Sequence, residues 1–265
     1  MYEFNYHRPA SLDEARALLE GNAEAQLLAG GMTLLPTMKM RLARPSDLVD
    51  LCAIDELGGI REDGDGIVVG ATVRHADVAS SELVQQAIPV LAEVAACIGD
   101  AQVRNRGTLG GSVSNSDPAA DYPAAVLGLD AVLRTDRREI AAADYFLGMF
   151  ETALQEHEIM VSVRFRRPQQ AAYVKFSNPA SRYAVVGVLV ARFDDGVRVA
   201  VTGAGPCAFR LAEFEAALGK DFSVAALDGL QVDAATFNGD LHASPEYRAH
   251  LVGIMAGRAV SQAGG

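Results

Sequence analysis

The alternation of apolar and polar positions predicts a chain of short, mixed elements. SLDEARALLE sets apolar residues at helical spacing behind Ser11, a good N-cap, and predicts a surface helix from Ser11 to about Glu20. AQLLAGG is a short apolar strand that runs straight into a glycine pair, and DLVDL and GIVVGATV predict further strands bounded by Gly or Asp. ELVQQAIPVLAEVAACIG has a 3.6-residue apolar rhythm interrupted early by Pro89. AAVLGLDAVLRTDRREIAAADYF then reads as helix, strand and a turn around Asp136 and Arg137.

The pattern changes character near RFRRPQQAAYVKF. Beyond it, YAVVGVLVARFDDGVRVAVTGAG contains two β-rich runs joined at Asp194-Asp195-Gly196, a hairpin signal. Two helical patterns follow, LAEFEAALGK and SPEYRAHLVGIMAGRAV, the second opened by Ser244 as cap and Pro245 in the first turn. Strands followed by helices predict a small α+β unit from about residue 171 onward. No internal repeat or low-complexity tract is visible.

Composition narrows the function classes. The 265 residues, half of them hydrophobic, suffice for one large domain or two modest ones with a real core. A net charge of -11, with 6% aromatic residues and no Trp, opposes both phosphate attraction and base stacking, so nucleic acid is not an expected partner. The N-terminus lacks a basic region followed by an apolar one, and no segment approaches the ~20 apolar residues of a membrane span, which predicts a cytoplasmic protein. Cys52, Cys97 and Cys207 lie far apart and cannot alone hold an iron–sulfur cluster. The five histidines have no metal-ligand spacing, and a solvated or core role is expected for each.

The sharpest local signals are AGGMTLLP, from Ala29 to Pro36, and TLGGSVSNSDPAAD, from Thr108 to Asp121. Adjacent glycines have no Cβ and can take positive φ, so successive N–H groups can converge on one anion, with a pyrophosphate the obvious guest. Hydroxyls at Thr33, Thr108, Ser112 and Ser114 add donors without a lysine, and Asp117 and Asp121 suit ribose hydroxyls or capping. Neither loop has P-loop or G-x-G-x-x-G spacing, and any one glycine pair is more often a plain turn. Gly203-Ala204-Gly205-Pro206-Cys207-Ala208 does match the dinucleotide fingerprint formally. However, Pro206 removes an N–H from the turn that should donate, and too little chain follows for further βαβ units, so a strand-to-helix connection is expected there.

Together the two loops and their order resemble the FAD-binding medium subunit of the molybdenum hydroxylases, the family of xanthine dehydrogenase and aerobic carbon monoxide dehydrogenase. AGGMTLLPTMK, QVRNRGTLGGSVSNSDPAADYPAAVLGLDA, DYFLGMF, YVKF and SPEYRAHL carry the resemblance across nearly the whole chain. It implies an α+β fold: a vanillyl-alcohol-oxidase-type (PCMH-type) FAD-binding domain over 1–170, with subdomains of about 1–55 and 56–170. A small C-terminal domain with a three-stranded sheet and helices would occupy 171–265.

Carried over by position, the resemblance implies that Ala29, Gly30, Gly31, Met32, Thr33 and Leu34, with Thr108, Gly110, Gly111 and Ser112, surround the FAD pyrophosphate. Asp121 would lie among the adenosine or ribitol contacts. Ile159, Lys175 and Tyr183 would approach the isoalloxazine region. Met32 stands where family members often have Thr, His or Gln, Thr33 where Asp or Ser is usual, and Ser112 where Asn is common. A thioether cannot donate a hydrogen bond, so Met32 must act through its backbone or by packing.

The resemblance also implies partners: a large subunit with molybdenum cofactor and a small one with two [2Fe–2S] clusters, in a dimer of heterotrimers. This chain would use FAD to pass electrons to NAD, quinone or dioxygen, in the cytoplasm or at the inner face of the membrane through its acceptor, with no catalytic side chain of its own. Two rival readings are a stand-alone FAD oxidase or dehydrogenase and a structural subunit without flavin. The chain beyond residue 170 is short and poor in acid–base candidates for the first, and the intact glycine pairs oppose the second.

Overall fold

The computed structural model describes residues 1–264 and contains three main sheets. The first is parallel and three-stranded, in the order β1-β3-β2, from β1 (Asn5–His7), β2 (Ala25–Leu28) and β3 (Asp47–Asp50). Helix α1 (Leu12–Glu20) connects β1 to β2 and starts where the sequence predicts. The Ser11 hydroxyl accepts from the Glu14 N–H at 3.2 Å, while the Glu14 carboxylate reaches back to the Ala10 N–H at 2.8 Å. Its Ala15 and Leu19 join Val49, Leu51 and Ile54 in a small core. Helix α2 (Leu34–Lys39) follows β2 after the first glycine pair.

The second sheet is antiparallel, in the order β4-β5-β10-β6-β7. It is built from β4 (Ile60–Asp63), β5 (Gly66–Gly70), β6 (Val132–Thr135) and β7 (Glu139–Ala141), closed by the central β10 (Met160–Arg166) after a small hairpin of β8 (Phe146–Gly148) and β9 (Glu151–Thr152). Six short helices lie between β5 and β6: α3 (His75–Ser80), α4 (Glu82–Ala87), α5 (Pro89–Ala96), α6 (Ala101–Arg104), α7 (Leu109–Asn115) and α8 (Tyr122–Gly128). The rhythm of residues 82–98 is split between α4 and α5. Pro89 takes the first position of α5, and Ile88 before it leaves the helical region with φ -142° and ψ 72°, because a proline ring crowds a helical predecessor. These helices and the sheet enclose the largest core, around Phe165, Tyr122, Leu109 and Leu91.

The third sheet is antiparallel and holds three long strands, β11 (Gln170–Ser177), β12 (Ala184–Phe193) and β13 (Gly196–Thr202), in the expected arrangement, with a two-residue edge strand β14 (Phe209–Arg210) in addition. Phe193 pairs with Gly196 across the Asp194-Asp195 turn. Helices α9 (Ala212–Lys220) and α10 (Pro245–Gln262) contribute Phe214, Leu218, Val252 and Met255 to a second core on this sheet. The Gly203–Ala208 stretch is a connection within this unit that reaches α9 by way of β14. The Asn238 N–H and side-chain amide bond the Ala204 and Gly205 carbonyls at 2.8 and 2.6 Å.

One segment ties the third sheet to the rest. Between α7 and α8, the carbonyls of Pro118 and Ala120 accept from the Thr202 hydroxyl at 3.0 and 2.6 Å, Gly203 N–H donates to Pro118 at 2.7 Å, and Ala184 N–H donates to Ala119 at 3.2 Å. The tail of the second glycine loop is thereby fixed from both sides.

Candidate functional site

The two glycine loops meet. A Cβ on Gly30 would lie 2.1 Å from the Arg106 carbonyl oxygen and 2.7 Å from Gly107 Cα, so glycine at 30 lets one backbone rest directly on the other. Gly110 serves a similar purpose beside Ala71, where a Cβ would come within 2.5 Å of the alanine methyl. Only Gly31 of the four paired glycines takes a left-handed conformation, at φ +70°.

The loops also differ in what their amides do. In the second, Leu109 N–H bonds Val73, Gly110 N–H bonds Ala71, Ser112 N–H bonds the Thr108 carbonyl and Gly111 N–H meets the Thr108 hydroxyl at 3.2 Å. The expected anion nest of successive free amides therefore does not form there. These residues open α7, a helix the sequence pattern did not reveal, and its capping consumes the donors. In the first loop, among the described residues, no partner accepts from the amides of Gly31, Met32 or Thr33. Those donors remain for a guest.

A cavity of about 660 Å³ lies between the loops, within the range of small-molecule and cofactor sites. Ala29, Gly30, Gly31, Met32, Thr33 and Leu34 line one side, and Thr108, Gly110, Gly111 and Ser112 another, with Asp121 and Tyr183 also on the wall. Beside Gly111 a Cβ would meet only the Thr108 hydroxyl closely, so a glycine there leaves room on the cavity side. Unpaired amides on one wall, and on another two glycines flanked by the small Thr108 and Ser112, suit a long anionic cofactor that needs close backbone approach. FAD fits these residues.

Two of the expected residues lie off the cavity wall. Lys175 does not line the cavity: its ammonium group is buried behind the wall, 2.8 Å from Asp121 Oδ2 and 3.3 Å from the Cys97 carbonyl. Ile159 is fully buried among Leu51, Ile54 and Leu57, and its N–H and C=O both bond Asp136 at 2.9 Å. Its neighbours Glu158 and Met160 line the cavity in its place.

Asp121 joins the site to the third sheet. Its Oδ1 accepts from the Tyr173 hydroxyl at 2.6 Å and its Oδ2 from Lys175, both on β11. Burial pushes this carboxyl above its ordinary range, and Lys175 and then Tyr173 pull it back. A carboxylate so fully bonded is fixed in place more than it is free to take ribose hydroxyls. Glu158, by contrast, is held down to about 2, chiefly by the Arg138 guanidinium at 2.9 Å, against its burial.

For His75, as for every histidine, the sequence predicts only a solvated or core role, yet it lines the cavity. Its N–H bonds the Gly107 carbonyl at 3.0 Å, its Nε2 fills the space where a Gly107 Cβ would come within 2.5 Å, and its ring lies 5.3 Å from Tyr122. Burial first, and Arg104 second, lower its pKa to about 4, so the imidazole is neutral at pH 7. Nothing in spacing alone could have marked it, because its partner Gly107 lies more than thirty residues away. Among the described residues no cluster of three metal-ligating side chains occurs, and no helix is long and apolar enough to cross a membrane.

Comparison with known proteins agrees with this geometry. Residues 2–168 match the family described as FAD binding domain in molybdopterin dehydrogenase. The chain is 39% identical to the carbon monoxide dehydrogenase medium chain of Hydrogenophaga pseudoflava, over 98% of this chain and 96% of that one. It is 34% identical to the nicotine 6-hydroxylase medium subunit of Paenarthrobacter nicotinovorans over the same shares. Among solved structures, a chain of reconstituted CO dehydrogenase from Oligotropha carboxidovorans superposes with a TM-score of 0.91 at 32% identity, covering 99% of this chain and 98% of that one.

Proposed function

The chain belongs to the family of FAD-binding subunits of the molybdenum hydroxylases, as an electron-transfer subunit of a multi-subunit oxidoreductase, and from that premise we propose that its complex is an aerobic carbon monoxide dehydrogenase. In this family the molybdenum cofactor and iron–sulfur clusters reside on partner subunits, so the substrate is oxidised elsewhere. The observation that carries the specific reading is the 39% identity, nearly end to end, to a carbon monoxide dehydrogenase medium chain. We further infer a dimer of heterotrimers in the cytoplasm, with NAD, a quinone or dioxygen as final acceptor. The three sheets support a division into subdomains of about 1–55 and 56–170 and a C-terminal unit from 171.

Bound in the cavity, FAD supplies the exchange between one-electron donors and a two-electron acceptor. The chain's own residues bind and orient it. The free amides of Gly31, Met32 and Thr33 would face the pyrophosphate, while Gly111 and the Ser112 hydroxyl would form the opposite wall. Asp121, locked by Lys175 and Tyr173, would keep the tail of the second loop at a fixed distance from the third sheet. His75, neutral, would support Gly107 beneath both loops.

The test uses the intact complex. Purified material should carry near-stoichiometric FAD, released on denaturation, and its visible flavin absorbance should bleach under carbon monoxide without oxygen. Bleaching by an N-heterocycle such as nicotine and none by carbon monoxide would replace the proposed substrate. Absence of FAD, even after reconstitution with partners present, would make the chain a structural subunit.

A further inference from the structure

Residues 1–8 and 39–46 form one continuous face. Strand β1 is an edge strand of the first sheet, and the Asn5 N–H bonds the Ser46 carbonyl at 2.8 Å. The guanidinium groups of Arg41 and Arg44 lie 5.6 and 5.0 Å from the centre of the Tyr2 ring. Although the whole chain carries -11, these two segments hold Arg8, Lys39, Arg41 and Arg44 against Glu3, while the neighbouring Asp47 and Asp50 carboxylates are engaged by His7, at 2.6 Å, and by the Tyr6 hydroxyl. All four basic residues are exposed.

Large apolar side chains are exposed among them: Met1, Tyr2, Phe4, Tyr6, Met40 and Leu42, the last at 75%. The end of α2 accounts for part of this. Arg41 sits at φ +62° where glycine is usual, and the Leu42 N–H bonds the Thr37 carbonyl at 3.0 Å. In such helix endings the following apolar residue commonly folds back onto the helix. Leu42 instead points into solvent, on a backbone that costs about 1 kcal/mol to hold.

The face adjoins the cofactor cavity. Met32, Thr33 and Leu34 line that cavity, and α2, six residues long, spans only about 9 Å at 1.5 Å per residue before reaching Lys39 and Met40. Arginine, tyrosine and methionine around an apolar centre are the composition of a protein interface, and a basic island on an acidic chain selects and orients an acidic partner.

We propose that this basic, apolar face is the docking surface for an acidic surface of the iron–sulfur subunit that delivers electrons to the flavin. The inference rests on the reading of the chain as the flavin subunit. It adds where the donor sits: along β1 and the end of α2, one short helix away from the first glycine loop.

The test replaces Leu42→Asp and Arg44→Glu together in the full chain, expressed with its partners. The probe is the protein carrying two [2Fe–2S] clusters that co-purifies with the unaltered chain, identified by its iron content and visible spectrum. Its affinity for the double variant should fall at least about ten-fold, and its affinity for the unaltered chain should weaken as salt rises. FAD content and melting temperature should match the unaltered chain, and Ile254→Asp on the exposed side of α10 should bind normally. If the double variant loses FAD or stability, Arg44→Glu alone, which removes only an exposed charge, must still weaken binding and reduce its salt dependence.

Unchanged affinity would overturn the proposal. So would a double variant that keeps the iron–sulfur subunit but loses either self-association of this chain or binding to phosphatidylglycerol vesicles. Failure of the underlying reading looks different: the unaltered chain would then hold no flavin or bring no iron–sulfur protein with it.

Discussion

The two glycine pairs look alike in sequence and do different work. Gly30-Gly31 follows a strand, and there one glycine permits backbone contact with Arg106 while the next turns left-handed, leaving amides unpaired beside the cavity. Gly110-Gly111 lies in the first turn of α7 with its amides bonded, and its glycines serve for packing on Ala71 and for clearance. A doublet of glycines therefore specifies that the chain must pass something closely. Whether that something is a ligand or another strand of backbone depends on where the neighbouring hydrogen bonds go.

The largest effect should come from Gly30→Ala. Its methyl would meet the Arg106 carbonyl and the Gly107 Cα, both backbone, so neither can swing away. A loss on the order of 4 kcal/mol is expected, with the loops forced apart and no FAD retained in the purified protein. Thermal unfolding and flavin content measure this directly. Near-normal values for both would mean that the loops do not touch in solution.

Next is acid. His75 has its pKa lowered to about 4 from an ordinary 6.5, so its contribution is complete above pH 6.5 and is lost as pH falls toward 4, where the unfolded chain binds the extra proton. The limiting loss is about 3 kcal/mol, and His75→Gln should flatten this part of the stability profile. Glu158 has the opposite chemistry but the same sign. Held down to about 2 by Arg138, it contributes above the ordinary carboxylate range near 4.5 and fails only as pH drops from there toward 2. Denaturant titrations between pH 8 and pH 3 should thus show two successive declines, the first absent in the His75 variant. A single decline below pH 5 in both proteins would mean that His75 is not buried under the second loop.

Gly31→Ala sharpens the contrast from the ligand side. A left-handed alanine costs about 1–2 kcal/mol, and the nearest obstacle is the end of the Leu35 side chain, at 2.8 Å, which can rotate. Stability should fall modestly while FAD affinity drops about ten-fold, because the amides of Met32 and Thr33 would turn from their positions. A variant with equal affinity would place the pyrophosphate donors elsewhere.

Much of the fold was legible wherever local chemistry decided it. The Ser11 and Ser244 caps, the Asp194-Asp195 hairpin and the break at Pro89 all follow from side chains acting on their own neighbours. Where distant backbone decides, the sequence was silent. Helix α7 starts just after Thr108 because Val73 and Ala71 accept its first amides, and those acceptors come from a separate segment, beyond β5. The same holds at the site. Most residues of both loops were recognisable as cavity wall, whereas His75 and the engagement of Lys175 with Asp121 depend on contacts across 32 and 54 positions of chain.

Thr108→Ala gives the smallest and most discriminating effect. The threonine caps α7 by accepting the Gly111 N–H, and its loss should cost about 1 kcal/mol, a few degrees in melting temperature for a chain of this size. The same change frees the Gly111 amide beside the cavity. If the second loop serves only for clearance, FAD affinity should stay within about two-fold of the unaltered chain, since nothing on that wall was donating. If affinity rises clearly while stability falls, the freed amide has found the cofactor, and the division of labour between the loops is set by one capping hydroxyl and not by the glycines themselves.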